Sequence, residues 1–222
     1  MGQGRLGWDE YATGWARLHG GFDPRKAGRL VRGWLRVSYV IGRGLARVRI
    51  PPAAVTFAGL LLCVSVPLLA DRPALAAVFV LLAAMADSAD GATAVVSGRA
   101  TRLGYLYDSL ADRLGEAAWL VAFWLVGAPG MLVVAAAGLS WLHEYVRARV
   151  VAAGMRDIGA VTVGERPTRV AVAFLGLLLA GAAEAVQTDL PAGTITVVAA
   201  VWVLLALVGL LQLLAAVHRV LR

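Results

Sequence analysis

Four aspartates stand close together in the chain, Asp87, Asp90, Asp108 and Asp112, with no histidine or cysteine between them. Asp87 and Asp90 are three residues apart and Asp108 and Asp112 four apart, so each pair shares one face of a helix. Asp90 and Asp108 are equally distant from residue 99 in the connecting turn, and Asp87 and Asp112 nearly so. An antiparallel helix hairpin would bring all four carboxylates to one level. Acids crowded in this way repel one another and lose hydration unless positive charge sits among them. Arg113 or Arg102 could partner one acid but not four, and acids within an apolar bundle are costly and usually functional. Oxygen donors alone favour a hard divalent cation, magnesium or manganese, over zinc.

The elements that must hold these acids are apolar. Of 222 residues, 60% are hydrophobic, more than a soluble domain can cover with polar surface. Apolar runs bounded by charges, proline and glycine predict six membrane helices near 53–70, 74–95, 104–126, 130–150, 168–186 and 192–217. Apart from Arg72, the Lys and Arg residues outside these runs fall on one side, which the positive-inside rule makes cytoplasmic. Both termini and the 96–103 and 151–166 connections are then expected in the cytoplasm. The first 24 residues are polar and contain no continuous apolar segment, in keeping with that placement. The net charge of +7 reads as topology and contact with anionic lipid, not nucleic-acid binding. Cys63, alone in an apolar run, cannot form an internal disulfide.

Ahead of the first run, Arg25, Arg29, Arg32, Arg36, Arg43 and Arg47 fall on one stripe at about 100° per residue. Val31, Trp34, Leu35, Ile41, Leu45 and Val48 lie opposite, so an amphipathic helix on the cytoplasmic leaflet is expected. The predicted fold class is an all-α integral membrane protein. Its residues 1–49 form a cytoplasmic segment with the interfacial helix, and residues 50–222 form a six-helix transmembrane domain.

The acidic stretch resembles the signature of the CDP-alcohol phosphotransferases, D-x2-D-G-x2-A-R-x8-G-x3-D-x3-D. Asp87, Asp90, Gly91, Ala94, Gly104, Asp108 and Asp112 match in register, seven fixed positions over 26 residues. Val95 departs, standing where the signature has Arg, and Arg99 or Arg102 are the candidates for that contact. The resemblance implies a six-helix homodimer in the cell membrane whose active site holds two ions, magnesium or manganese, and opens to the cytoplasm. It implies metal ligands at Asp87, Asp90 and Asp108. Asp112 is implied as the general base and a candidate fourth ligand, and the donor nucleotide is expected against Gly91, Ala94 and Gly104. The donor would be a lipid such as CDP-diacylglycerol, from which a phosphatidyl group passes to an alcohol with release of CMP. Gly91 and Gly104 would also allow close backbone approach or helix packing.

A second cluster lies in HEYVRARVVAAGMRDIGAVTVGERPTR, where Arg147 and Arg149 end the fourth run and Arg166 and Arg169 begin the fifth. Arginines at converging helix ends can hold a phosphate through forked hydrogen bonds. Tyr145, Arg147, Arg149 and the GERPTR run resemble stretches of the phosphatidylinositol-phosphate synthase branch of the family, with Arg147 in place of Lys and Thr168 in place of Glu. That implies a small polyol phosphate acceptor, inositol phosphate ahead of glycerol phosphate, bound by Arg147, Arg149, Arg166 and Arg169. His143 reads as a packing residue. Two alternatives remain: a divalent-cation transporter or channel, whose site should lie near the midplane on broken or repeated helices, and a family member that binds CDP-lipid without turnover. No repeat is visible in the chain, and the first 25 residues match no family element.

Overall fold

The computed structural model describes residues 6–18, 20–154 and 162–220; the chain ends and part of the 151–166 connection, all expected in the cytoplasm, lie outside them. The described residues form eight α-helices: α1 (Trp8–Leu18), α2 (Arg29–Arg47), α3 (Pro52–Ser65), α4 (Pro73–Ser97), α5 (Arg102–Val126), α6 (Gly130–Ala152), α7 (Arg166–Glu184) and α8 (Leu190–Val220). Each of the six apolar runs falls on one of α3 to α8. Four segments are long and apolar enough to cross a membrane, Pro52–Leu69, Pro73–Ser97, Arg166–Glu184 and Leu190–Val220. Helices α5 and α6 are long enough, at 25 and 23 residues, but each carries charged residues along part of its length, including Asp112, Arg113 and Glu116 on α5 and Glu144 and Arg147 on α6.

The chain divides into two compact units. The first comprises residues 1–61 and 82–112. In it, α1 is a helix for local reasons. Glu10 accepts a 2.8 Å hydrogen bond from the Gly7 N–H, half of a capping box, and the acids Asp9 and Glu10 begin the helix while Arg17 ends it. Its buried face, Tyr11 and Trp15, packs with Leu35, Tyr39 and Ala46 of α2 and with Ala92 and Val96 of α4. Tyr39 donates a 2.6 Å hydrogen bond to the Leu6 carbonyl, and the Arg36 guanidinium lies 5.2 Å from the Trp8 ring centre, within cation–π range.

Helix α2 departs from the simple two-faced expectation. Leu35, Ser38, Tyr39, Gly42 and Ala46 are buried, whereas Val31, Ile41 and Val48 are exposed together with Leu30, Val37 and Val40. The reason is steric and local: a side chain at Gly42 would come within 2.8 Å of Ala92 and Thr93, so α2 crosses α4 at a glycine. A face with small and polar residues is thereby buried, and much of the apolar stripe is left uncovered.

Helices α2 and α4 end in the same way. After α4, Gly98 takes φ 66°, the Gly98 N–H reaches the Val95 carbonyl (3.3 Å), and the Arg99 N–H reaches that of Ala94 (3.0 Å). After α2, Arg49 takes φ 61°, its N–H reaches Ala46 (3.2 Å), and the Ile50 N–H reaches Leu45 (3.0 Å). Both are Schellman terminations, which favour glycine at the left-handed residue. Arg49 is the one non-glycine residue with positive φ among the described residues, a conformation that costs an L-residue about 1–2 kcal/mol.

The second unit comprises residues 62–81 and 113–222. Small residues bring its helices together, as expected where lipid replaces water as the solvent. A side chain at Gly181 would meet the Ala74 backbone at 2.5 Å, one at Gly176 would meet Val198 at 2.6 Å, and one at Gly115 would meet the Cys63 sulfur at 2.8 Å. Cys63 is thus a buried cysteine in a helix contact. Trp202 of α8 stacks edge-to-face on Phe123 of α5 at 5.7 Å and donates a 3.1 Å hydrogen bond to Ser140 of α6.

Candidate functional site

Three of the four aspartates converge within the first unit. Asp87 and Asp90 on α4 and Asp108 on α5 each offer a carboxylate oxygen, and these oxygens lie within 4.8 Å of one another. Asp90 is buried at 6% exposure, and Asp87 and Asp108 are half-buried. Asp112, one turn beyond Asp108 on α5, is not part of this group; its Oδ1 is shielded from solvent. One Schellman termination and one side-chain cap fix the hairpin. Gly98 ends α4, and Thr101 caps α5 by accepting a 2.9 Å hydrogen bond from the Gly104 N–H.

The group is braced from α2 and α3. Thr56 on α3 donates a 2.6 Å hydrogen bond to Asp90 Oδ2. The Trp34 indole of α2 donates to Ser88 Oγ at 2.8 Å, and Ser88 in turn donates to the Ala84 carbonyl of its own helix at 3.1 Å. Oxygen-only donors, partly shielded from water and gathered on two helix faces, fit a hard divalent cation.

The glycines of the signature serve the fold as well. A side chain on Gly91 would come within 3.3 Å of the Trp15 ring, so this glycine accommodates α1. Gly104 lies against its cap, where an added side chain would meet Thr101 Oγ1 at 3.1 Å. Ala94 is half-buried on α4. The position that departs from the signature, Val95, faces α1: a side chain on Gly14 would meet Val95 Cγ1 at 2.9 Å. An arginine at 95 would have to displace that helix or turn away from it.

The four arginines of the second cluster belong to the other unit and differ in environment. Arg169, at 2% exposure, donates to Glu116 Oε2 at 2.8 Å and also to Glu144. Arg113 joins the same network, 3.0 Å from Glu116 Oε1 and 3.6 Å from Glu144. Arg147 is ion-paired to Glu165 at 2.5 Å, and that carboxylate also accepts the Thr162 N–H at 3.1 Å. Arg166 is half-buried and Arg149 is exposed. His143 is buried with its Nε2 2.8 Å from Thr162 Oγ1, a packing role as read from the sequence. Glu116, Glu144, Glu165 and Thr56 were not singled out in the sequence. An acid at position 116, four residues after Asp112 and inside an apolar run, was a signal for the first of them.

Among its described residues the chain forms helices and no strands, four of its segments are long and apolar enough to cross a membrane, and its three carboxylates at the α4–α5 hairpin fit a metal ion. It belongs to the CDP-alcohol phosphatidyltransferase family, whose model matches residues 49–220. It is 36% identical over 152 residues to the phosphatidylinositol phosphate synthase of Mycolicibacterium smegmatis, a match covering 65% of this chain and 64% of that protein. It is 30% identical over 141 residues to the archaetidylinositol phosphate synthase of Pyrococcus horikoshii, covering 62% of this chain and 74% of that one. The match therefore spans just under two thirds of the length of the mycobacterial relative.

Among solved structures, the fold is similar to the Mycobacterium tuberculosis phosphatidylinositol phosphate synthase with CDP-DAG bound. The TM-score is 0.69 at 26% identity, over 82% of this chain and 94% of that one. A second structure of that enzyme, in complex with manganese and citrate, matches with a TM-score of 0.67, again at 26% identity, over 82% of this chain and 88% of that one.

Proposed function

We propose that this protein transfers a phosphatidyl group from CDP-diacylglycerol to a hydroxyl of a small polyol phosphate, inositol phosphate ahead of glycerol phosphate, releasing CMP. The observation that carries the reading is the convergence of Asp87, Asp90 and Asp108 at the family signature, with oxygens within 4.8 Å of one another. The names of the relatives support an inositol phosphate acceptor, and the CDP-DAG complex of the tuberculosis enzyme supports the donor.

Asp87, Asp90 and Asp108 would hold magnesium or manganese, two ions per site. Bound there, the ions neutralise the donor pyrophosphate and the departing CMP. Gly91, Ala94 and Gly104 border the donor nucleotide. Asp112, outside the three-carboxylate group, accepts the proton of the acceptor hydroxyl as its oxygen bonds to the lipid-side phosphorus and the bond to CMP breaks. Thr56 keeps Asp90 oriented through the reaction. Arg149 and Arg166, with Arg147 and Arg169 as their paired neighbours, receive the acceptor phosphate.

In the membrane, α5 and α6 complete six spans over residues 50–222. Residues 1–49 are a cytoplasmic segment with α2 lying at the lipid interface, its uncovered Leu30, Val31, Val40 and Val48 in contact with lipid. The one-sided distribution of arginine supports a cytoplasmic side for both termini and the site, and the proposed working form is a homodimer in the cell membrane.

Mass spectrometry of the lipid product from CDP-diacylglycerol, manganese and a panel of inositol phosphate, glycerol phosphate and free inositol tests the reading. A phosphatidylinositol phosphate product is expected. CMP release matched by no new lipid, or product formation from free inositol alone, would contradict it.

A further inference from the structure

A second charged feature of the first unit adjoins the family signature, with Arg99 in the variable stretch between Val95 and Gly104. Arg47, Arg49 and Arg99, with Ala46, line an open cavity of about 570 Å³. Among the described residues, none of the three arginines has a carboxylate within ion-pairing distance or a hydrogen bond from its side chain. Their convergence follows from the two helix ends described above. Arg49 is the left-handed residue that ends α2, and Arg99 directly follows Gly98, the left-handed residue that ends α4. At the equivalent point α4 uses glycine, which needs no compensation. An arginine held in this conformation marks a position where the side chain matters more than backbone ease.

We propose that Arg47, Arg49 and Arg99 form a binding pocket for a phosphate group. Each guanidinium offers a planar fork of N–H donors that matches two phosphate oxygens. Three positive charges without counter-ions among the described residues are held by backbone geometry, not by one another, and a tetrahedral dianion satisfies them together. The pocket lies where α2, with Val48 at 68% exposure, gives way to the apolar run that starts at Pro52. A lipid headgroup would present its phosphate at such a boundary, and a soluble phosphate could enter the same opening. The chemistry is common to both sources.

The test uses the full chain in nanodiscs of phosphatidylcholine with EDTA present, which silences the carboxylate site. One arm titrates inorganic phosphate and the other replaces part of the phosphatidylcholine with phosphatidic acid, both read by thermal shift. Stabilisation in either arm is expected, and the arm that responds identifies the source. Arg49→Gly should fold with unchanged or higher stability, because glycine suits its φ, while binding weakens at least about tenfold, the worth of one charge-assisted contact. Arg99→Gln should weaken it similarly, and Arg29→Gln, which removes the same charge from α2 outside the pocket, should leave binding near wild type. The proposal is overturned if neither arm stabilises the wild-type protein or if Arg49→Gly and Arg99→Gln both bind as wild type. An equal loss in Arg29→Gln, which would indicate diffuse charge, or binding that appears only when manganese replaces EDTA, which would place the anion at the carboxylates, overturns it as well.

Discussion

Thr56 donates a 2.6 Å hydrogen bond to Oδ2 of Asp90, fastening α3 to the most buried member of the carboxylate group. The bond fixes one oxygen of that carboxylate and so the orientation of the group. Partners that orient a ligand in this way are typically worth about 10–100-fold in metal affinity. Thr56→Val, nearly the same shape without the hydroxyl, should therefore raise the manganese concentration needed for half-maximal CMP release by about that factor, and Thr56→Ser should stay close to wild type. An unchanged manganese requirement in Thr56→Val would remove Thr56 from the site.

Removal of the cation should abolish turnover, with EDTA stopping CMP release and magnesium or manganese restoring it. Asp87→Asn and Asp108→Asn each take one charge from the three-carboxylate group and should weaken metal binding, seen as a shift in the metal titration of activity. Full activity of either variant at low metal would sink the assignment.

Val95 and Gly14 form a tight contact between α4 and α1, where a side chain on Gly14 would meet Val95 Cγ1 at 2.9 Å. Restoring the family's arginine as Val95→Arg should strain the packing of α1, since the longer side chain must pass Gly14 to reach the opening lined by Asp9 and Glu10. Overpacking of this kind costs about 1–3 kcal/mol. Faster proteolysis within residues 8–18 and a lower Tm are the expected results. A variant as stable and protease-resistant as wild type would show that α1 yields without cost.

Arg169 and Arg149 should respond differently to truncation. Arg169→Ala leaves Arg113 as the remaining cation shared by Glu116 and Glu144, and breaking a buried pair in this way costs about 3–5 kcal/mol. A marked loss of thermal stability in detergent is expected, beyond any effect on the acceptor. Arg149, exposed, should be dispensable for stability, and Arg149→Ala should mainly raise the acceptor KM, as expected for a phosphate held equally in ground and transition states. A raised KM for the CDP-lipid would move Arg149 to the donor side.

The carboxylate group was legible in the chain because helix periodicity and symmetry about a single turn suffice to bring Asp87, Asp90 and Asp108 together. Neither rule separates Asp112 from them, since a residue four positions on from Asp108 shares its face whether or not its oxygens reach the group. Thr56 was out of reach because its partner lies 34 residues away on another helix, and nothing local in PPAAVTFAG points to Asp90. The arginine cluster was visible as positive charge, but its engagement by Glu116, Glu144 and Glu165 depends on which helices pack together. Residues 8–18 matched no family element, yet their Tyr11 and Trp15 are buried against α2 and α4. An amphipathic pattern reveals that a face will be covered and does not identify the cover. Periodicity likewise divided α2 into two faces, whereas the crossing at Gly42 buries a third one between them.

The division of labour between three ligands and a separate base is tested most directly by Asp112→Asn, measured for turnover, donor binding and manganese affinity on the same preparation. The amide keeps the shape and removes the proton acceptor, so kcat should fall by about 10²–10⁴-fold, the usual worth of general-base assistance, while CDP-diacylglycerol and manganese bind as in wild type. A loss of donor or manganese affinity that accompanies the loss of turnover and is reversed by excess metal would contradict the account and make Asp112 a fourth ligand.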